Sequence, residues 1–179
     1  TPVNNGQVLA FNTNSGTAAE FDFYVKNLSA TASVNVKINC MALVNTDGFG
    51  FELCFGNECL PDVEEGMTYP INFPYVTLPP LGQSGNDGHF LNTPVASSTA
   101  PFPKDYTFRF YQAGNTSGNT IDVTYRYDPN LSNDEISQLQ ASGVIVKSTV
   151  VENELVLDVL KGDSMAIYDL NGKAVYTSK

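Results

Sequence analysis

The chain's 179 residues are 42% hydrophobic and 16% charged and include no tryptophan, the makeup of a globular domain able to bury a real core. Nineteen acidic residues against nine basic ones give a formal charge of −10, which sets most of the surface against phosphate backbones and anionic head groups, so nucleic acid is excluded as a partner. No run approaches the ~20 consecutive apolar residues of a membrane span, and none is expected. The plain reading of the acidity is solubility in an extracellular setting. Residues 1–6 lack a charged-then-apolar leader, and any such leader is expected to have been removed.

Taken in chain order, the first strand is expected at 7–11. Phe21-Asp22-Phe23-Tyr24-Val25-Lys26 follows, with Phe21, Phe23 and Val25 on one side and the charges on the other, the period-two signature of a half-buried strand. Val34, Val36, Ile38 and Cys40 share a parity and form the buried side of the next strand. Weaker strands are predicted at 49–55 and 67–73. Between Pro74 and Pro103 the chain carries six prolines together with Gly82, Gly85 and Gly88, which predicts a long loop region with one edge strand at 75–78, a place to look for a binding surface. Tyr106-Thr107-Phe108-Arg109-Phe110 and Ile121-Asp122-Val123-Thr124-Tyr125-Arg126-Tyr127 alternate again, and the turn chemistry of 114–119 between them predicts an antiparallel hairpin. Strands with one apolar face each, joined by polar turns, pack as two sheets. Residues 1–128 are therefore expected to be all-β, an immunoglobulin-like antiparallel β-sandwich.

The cysteines divide by face. Cys54 and Cys59 bracket Phe55-Gly56-Asn57-Glu58, a turn-forming segment that lets the two thiols meet across a hairpin, and a Cys54–Cys59 disulfide is predicted. Cys40 should be a core thiol, while the parity of Cys54 points it away from the packed face and from Cys40. Three cysteines and one histidine offer no pair of ligand pairs at zinc spacing, so no metal is expected and an oxidising compartment is the better reading.

After Asp128-Pro129 the pattern changes. Leu131-Ser132-Asn133-Asp134-Glu135-Ile136 reads as a helix start, with Ser132 and Glu135 as a capping box, so 129–143 is a linker holding a short helix or an irregular segment. Residues 144–179 are strand-rich again and form a small second β unit, with Leu170-Asn171-Gly172-Lys173 as a two-residue hairpin signal. Ala166-Ile167-Tyr168-Asp169-Leu170-Asn171-Gly172-Lys173-Ala174-Val175, preceded by Leu155-Val156-Leu157, resembles the carboxy-terminal sorting domain of proteins exported by the type IX secretion system of Gram-negative bacteria. The resemblance covers about a fifth of the chain and departs from the family in two places. Lys147-Ser148-Thr149-Val150 stands where the family has Tyr-Pro-Asn-Pro, and the family's second half does not follow Lys179. What the resemblance implies is export across the outer membrane by the type IX machinery, with release or display at the cell surface. Asp163-Ser164-Met165 is similar to an O-glycosylation acceptor triplet of some of the same bacteria, which makes Ser164 a candidate for that modification.

Catalytic motifs fail one by one. His89, the single histidine, lies in Gly85-Asn86-Asp87-Gly88-His89-Phe90 and reads as an exposed loop imidazole, and no glycine run is followed by Lys-Ser or Lys-Thr. Asp62, Glu64 and Glu65 could serve as glycosidase carboxylates but read more simply as a charged loop. Asp128, Asn130, Asp134 and Glu135 cluster without calcium-loop spacing. The expectation is thus a secreted or surface-displayed, non-enzymatic protein without a cofactor, engaged in adhesion, spacing or interaction with a protein or glycan at the cell surface. A carbohydrate-binding module is the alternative, with Tyr24 and Tyr111 at outward parity and His89 nearby in the loop region as its candidate ligand surface. A small glycoside hydrolase is the third reading.

Overall fold

The computed structural model describes residues 2–93, 101–115 and 118–131, the backbone at Gln138 and Ala141, and the backbone of three later strands. In chain order the strands are β1 (Gln7–Phe11), β2 (Glu20–Asp22), β3 (Val34–Val44), β4 (Phe51–Cys54), β5 (Cys59–Leu60), β6 (Thr68–Tyr69), β7 (Val76–Leu78), β8 (His89–Asn92), β9 (Lys104–Gln112), β10 (Ile121–Tyr127), β11 (Ile145–Val146), β12 (Met165–Tyr168) and β13 (Ala174–Ser178). The fold is all-β. One sheet runs β11-β1-β10-β9-β3-β6, with β7 also paired to β3, and the other runs β2-β8-β4-β5. This is the strand order of the immunoglobulin class, in which the last hairpin and the long third strand form one layer and the second strand joins the other. The first sheet is mixed, because β1 runs parallel to both β10 and β11.

Strands β1 and β10 fall on their expected residues, β10 by its strict alternation. The predicted hairpin is present, β9 and β10 pairing antiparallel from Ile121↔Phe110 to Tyr127↔Lys104. Strand β3 outruns its predicted 34–40 because a register shift between Cys40 and Ala42 admits an extra residue, after which Leu43 packs inward in place of Ala42. The predicted strand at 67–73 shrinks to β6. The strand expected at 21–26 is formal only over β2, yet its pairing persists: Phe23 N–H donates to Gly88 O at 2.8 Å and Ser84 N–H to Val25 O at 2.9 Å.

The region between Pro74 and Pro103 departs from expectation. It holds the anticipated edge strand as β7, but also β8, a central strand of the smaller sheet flanked by β2 and β4. Phe90 of β8 is buried in the core, and it is the partner β8 finds on either side that makes this short segment a strand.

Between the layers lies a slab of aromatic rings. Phe51 stacks on Tyr106 with centroids 4.0 Å apart and Phe90 on Phe108 at 4.6 Å, each pair joining one sheet to the other. Phe11 stacks on Tyr125 at 4.3 Å, and Phe23 meets Phe110 edge-on at 5.2 Å. Such rings bury about 150–250 Å² apiece and dominate the stabilisation of a core. The Tyr125 hydroxyl, which burial holds well above the usual phenol range, donates to the Ala19 carbonyl at 2.6 Å, so its polar end is satisfied. On the outer face of the large sheet, Arg109 pairs bidentately with Asp122 and Arg126 with Asp105, with a Thr107–Thr124 hydroxyl pair between them.

The predicted capping box, the strand at 155–157, the 170–173 turn and Ser164 lie outside the described residues. Strands β12 and β13 pair antiparallel on either side of that turn, and β11 adds the start of the predicted second unit to the first sheet.

Truncating Phe51 to alanine removes one ring from three stacked or tilted contacts and is expected to cost about 3–5 kcal/mol, a fall of roughly 10 °C in the thermal midpoint. Ile121→Ala, at a half-open strand start, should leave the midpoint within about 2 °C. A second expectation concerns Asp122, whose carboxyl the hydrogen bonds from Arg109 hold below the usual carboxylate range. A depressed folded pKa adds stability that is present above the unfolded value and lost as pH falls through the folded one. Asp122→Asn should therefore cost about 0.5–1 kcal/mol at neutral pH, the pair being part-exposed and screened, and nothing once the medium is acid enough to protonate the wild-type carboxyl. Urea unfolding at both pH values reads the difference.

Candidate functional site

Two distinct sets of side chains stand out, one on the smaller sheet and one on loops that link the two sheets. The first is on the outer face. Pairing of β8 with β4 sets Cys54 opposite His89, and pairing with β2 sets Asp22 on the other side of the same histidine. His89 is thus in a central strand, not an exposed loop, and its side chain is only 19% exposed. Its Nε2 lies 2.9 Å from Glu52 Oε1 and its Nδ1 3.8 Å from Glu20 Oε1. The sulfur of Cys54 completes a group with Glu52 and His89 in which all three donor atoms fall within 4.8 Å of one another.

The Cys54–Cys59 disulfide closes the adjacent hairpin, with Cα atoms 4.0 Å apart. Gly56 and Asn57 both adopt positive φ, and Phe55 N–H donates to Glu58 O at 2.8 Å, so the link is a tight two-residue turn of the kind that Gly-Asn favours. Cys54 faces away from the core as its parity requires, yet it is fully buried, because its cross-strand neighbours Cys59 and His89 flank it. Cys40 is a free, buried thiol pushed up to about 12 by burial, with a smaller contribution from Glu65.

The second set lines an open groove of about 460 Å³ made by three loop segments, with Phe49, Met67 and Ile71 as apolar wall, Asp47, Asp62 and Glu64 as carboxylates, and Val63 and Tyr69 beneath. Local hydrogen bonds build it. Gly48 O accepts from both Phe51 N–H and Val63 N–H, while Asp62 Oδ1 accepts from Gly50 N–H at 2.7 Å. A side chain at Gly48 (φ +87°) would put its Cβ into the Val63 carbonyl, so this close approach needs glycine. Glu58, buried at the hairpin turn, accepts from Ile71 N–H and from the Asn72 backbone and side-chain amides at 2.5–2.8 Å, which fixes the far wall. Glu64 N–H donates to the Tyr69 hydroxyl at 2.9 Å. Of the three carboxylates read from sequence, Asp62 and Glu64 enter the groove; Glu65 turns away to accept from Leu43 N–H.

Tyr24 is 61% exposed and follows β2 of the smaller sheet, whereas Tyr111 lies in β9 of the larger one, opposite Lys37. The structure does not bring Tyr24, Tyr111 and His89 together on one sheet. Sequence reasoning missed the groove, although exposed Phe49, Met67 and Ile71 around a Pro-Asp-Val-Glu-Glu-Gly segment were its visible trace. Among the described residues no helix is long and apolar enough to cross a membrane. Comparison with family models, with curated proteins and with solved structures finds no match to this chain.

The cysteine arrangement makes a countable prediction. Native protein treated with maleimide at mildly alkaline pH should show no labelled cysteine, because the Cys40 thiol is neutral and enclosed. After denaturation without reductant it should show one, and after reduction three; labelling of three without reductant would contradict the disulfide.

Proposed function

We propose that this chain is a secreted or cell-surface, non-enzymatic β-sandwich that holds a protein partner, and that the segment it holds presents a lysine or arginine beside apolar residues. The groove carries this reading. Its wall of Phe49, Met67 and Ile71 suits an aliphatic stem or an apolar neighbour, and Asp47, Asp62 and Glu64 suit the cationic head at the end of that stem. The chain's formal charge of −10 steers such a partner towards the surface before contact. The cysteine pair at 54 and 59 supports an oxidising compartment. Export through the type IX machinery rests on the resemblance of 146–179 alone, since the antiparallel pairing of β12 with β13 suits any hairpin, exported or not.

The carbohydrate-binding alternative asks for a row of aromatics on one sheet, whereas Tyr111 lies in β9 of the larger sheet and Tyr24 in the segment after β2 of the smaller one. The hydrolase reading keeps Asp62 and Glu64 in one concavity.

Fluorescence anisotropy with short peptides separates the readings when run beside a glycan array and a glycoside panel. Peptides alternating lysine or arginine with leucine should bind, their glutamate counterparts should not, and the affinity should fall steeply with salt. Asp62→Asn combined with Glu64→Gln should weaken binding about tenfold, the loss of roughly 1.4 kcal/mol. Equal binding of both peptide classes, glycan binding alone, or glycoside turnover would each overturn it.

A further inference from the structure

The groove calls for a cation flanked by apolar side chains, and the chain itself presents one. Among the described residues, Arg109 and Arg126 are engaged with aspartates, Lys104 is buried against the Asn45 carbonyl, and Lys37 sits mid-strand between Asn35 and Asn39. Lys26 differs. Phe21, Phe23 and Val25 pack on the core, so Tyr24, Lys26 and Leu28 project on the opposite side as an alternating aromatic, cationic and aliphatic stripe. Tyr24 is 61% and Leu28 81% exposed. Leu81, also 61% exposed, stands beside the stripe, its N–H donating to Ser29 O at 2.9 Å.

Two features hold the stripe ready. The buried Asn27 amide donates to the carbonyls of Ala32, Leu78 and Pro79 while its Oδ1 accepts from Ser29 N–H, which locks the turn with Leu28 outside. Leu81 takes φ +57°, the left-handed region where a branched aliphatic side chain is uncommon and glycine would be unstrained. Strain of this kind collects at binding surfaces, and here no burial of the side chain offsets it.

Stripe and groove lie at opposite ends of the sandwich. Val34, at the start of β3, pairs with Leu78 next to the Asn27 turn, whereas Asp47 and Phe49 follow the end of β3. The strand between them spans about 30 Å. The smaller sheet shows the same order, with Lys26 bridged to Gln83 at one end and Thr93 N–H donating to Gly50 O at the other. One copy therefore cannot fill its own groove.

We infer that the groove's partner is a second copy of this chain, an inference that rests on the groove's proposed preference for a cation beside apolar side chains. Lys26 of one copy meets Asp47, Asp62 and Glu64 of the next, while Tyr24, Leu28 and Leu81 meet its apolar wall. Because the two poles differ, each contact leaves a groove free at one end and a stripe free at the other, so copies join head to tail and not as closed pairs. The formal charge of −10 on each copy opposes approach at long range. Association is therefore weak in low salt and strengthens once ions screen that repulsion, the reverse of the salt dependence of a cationic peptide.

Sedimentation velocity of the full chain at about 0.15 M salt tests this. Wild type should gain mass with concentration, past the dimer. At the concentrations where it does so, Lys26→Glu with Leu81→Gly should be monomeric, as should Asp62→Asn with Glu64→Gln. An equimolar mixture of these two variants should form dimers and stop, because it pairs one intact groove with one intact stripe. Leu81→Gly alone should weaken association about tenfold without lowering the thermal midpoint, since glycine accepts the left-handed φ. Should a double variant not fold, Lys26→Glu and Asp62→Asn replace them singly. Wild type that stays monomeric at millimolar concentration, or a mixture that forms no dimer, would overturn the proposal. Lysine–leucine peptides then separate the causes: peptides bound by that monomer leave the groove reading standing with a different protein as partner, and peptides left unbound remove both.

Discussion

Stacking of Phe51 on Tyr106 and of Phe90 on Phe108 is the interaction on which the rest of the molecule depends. Immunoglobulin-class domains often bind their layers together with an inter-sheet disulfide packed on a tryptophan. Here tryptophan is absent, and the Cys54–Cys59 bond lies within one sheet. Cohesion between the layers falls to the rings. Rings that point inward fix the parity of their strands, because a slip of one residue would exchange Phe51 for Glu52 or Phe108 for Arg109. Phe90 inside thus requires His89 outside, and Leu53 inside requires Glu52 and Cys54 outside.

The two outer faces that result are chemically unlike. On the large sheet Arg109 is matched to Asp122 and Arg126 to Asp105 across neighbouring strands. The smaller sheet instead gathers Glu20, Asp22, Glu52 and the sulfur of Cys54 around one imidazole. Beside it the loops after β3 and β5 expose Phe49 and Met67 next to carboxylates. Glu58 joins the two features: it sits in the disulfide hairpin and grips the Ile71–Asn72 backbone that walls the groove.

Where one face is wholly apolar and the other wholly polar, the sequence was legible. Strand β10 could be read to the residue, and the Cys54–Cys59 pairing followed from Gly56-Asn57. Strand β8 could not be read. Its inward residues are Phe90 and Asn92 and its outward ones His89 and Leu91, so half of its alternation is inverted, and the prolines and glycines around it signal a loop. Both Asn92 amide atoms lack a hydrogen-bond partner among the described residues, so the ladder to β4 and the burial of Phe90 carry this strand against a local cost. The misreading of His89 as an exposed loop residue came directly from missing that strand. The groove was illegible for another reason, since its walls come from segments whose proximity is set by Gly48 against Val63 and by Glu58 against Ile71, contacts with no periodic trace.

Strand β8 is where the core, the outer-face cluster and the departure from sequence expectation meet, and hydrogen–deuterium exchange of its amides tests the account most directly. Protection across 89–92 comparable to that of β9 and β10, decaying only with global unfolding, is the predicted result. Exchange in seconds, as in an unpaired proline-rich loop, would remove Phe90 from the core and His89 from its carboxylates, and the account with them.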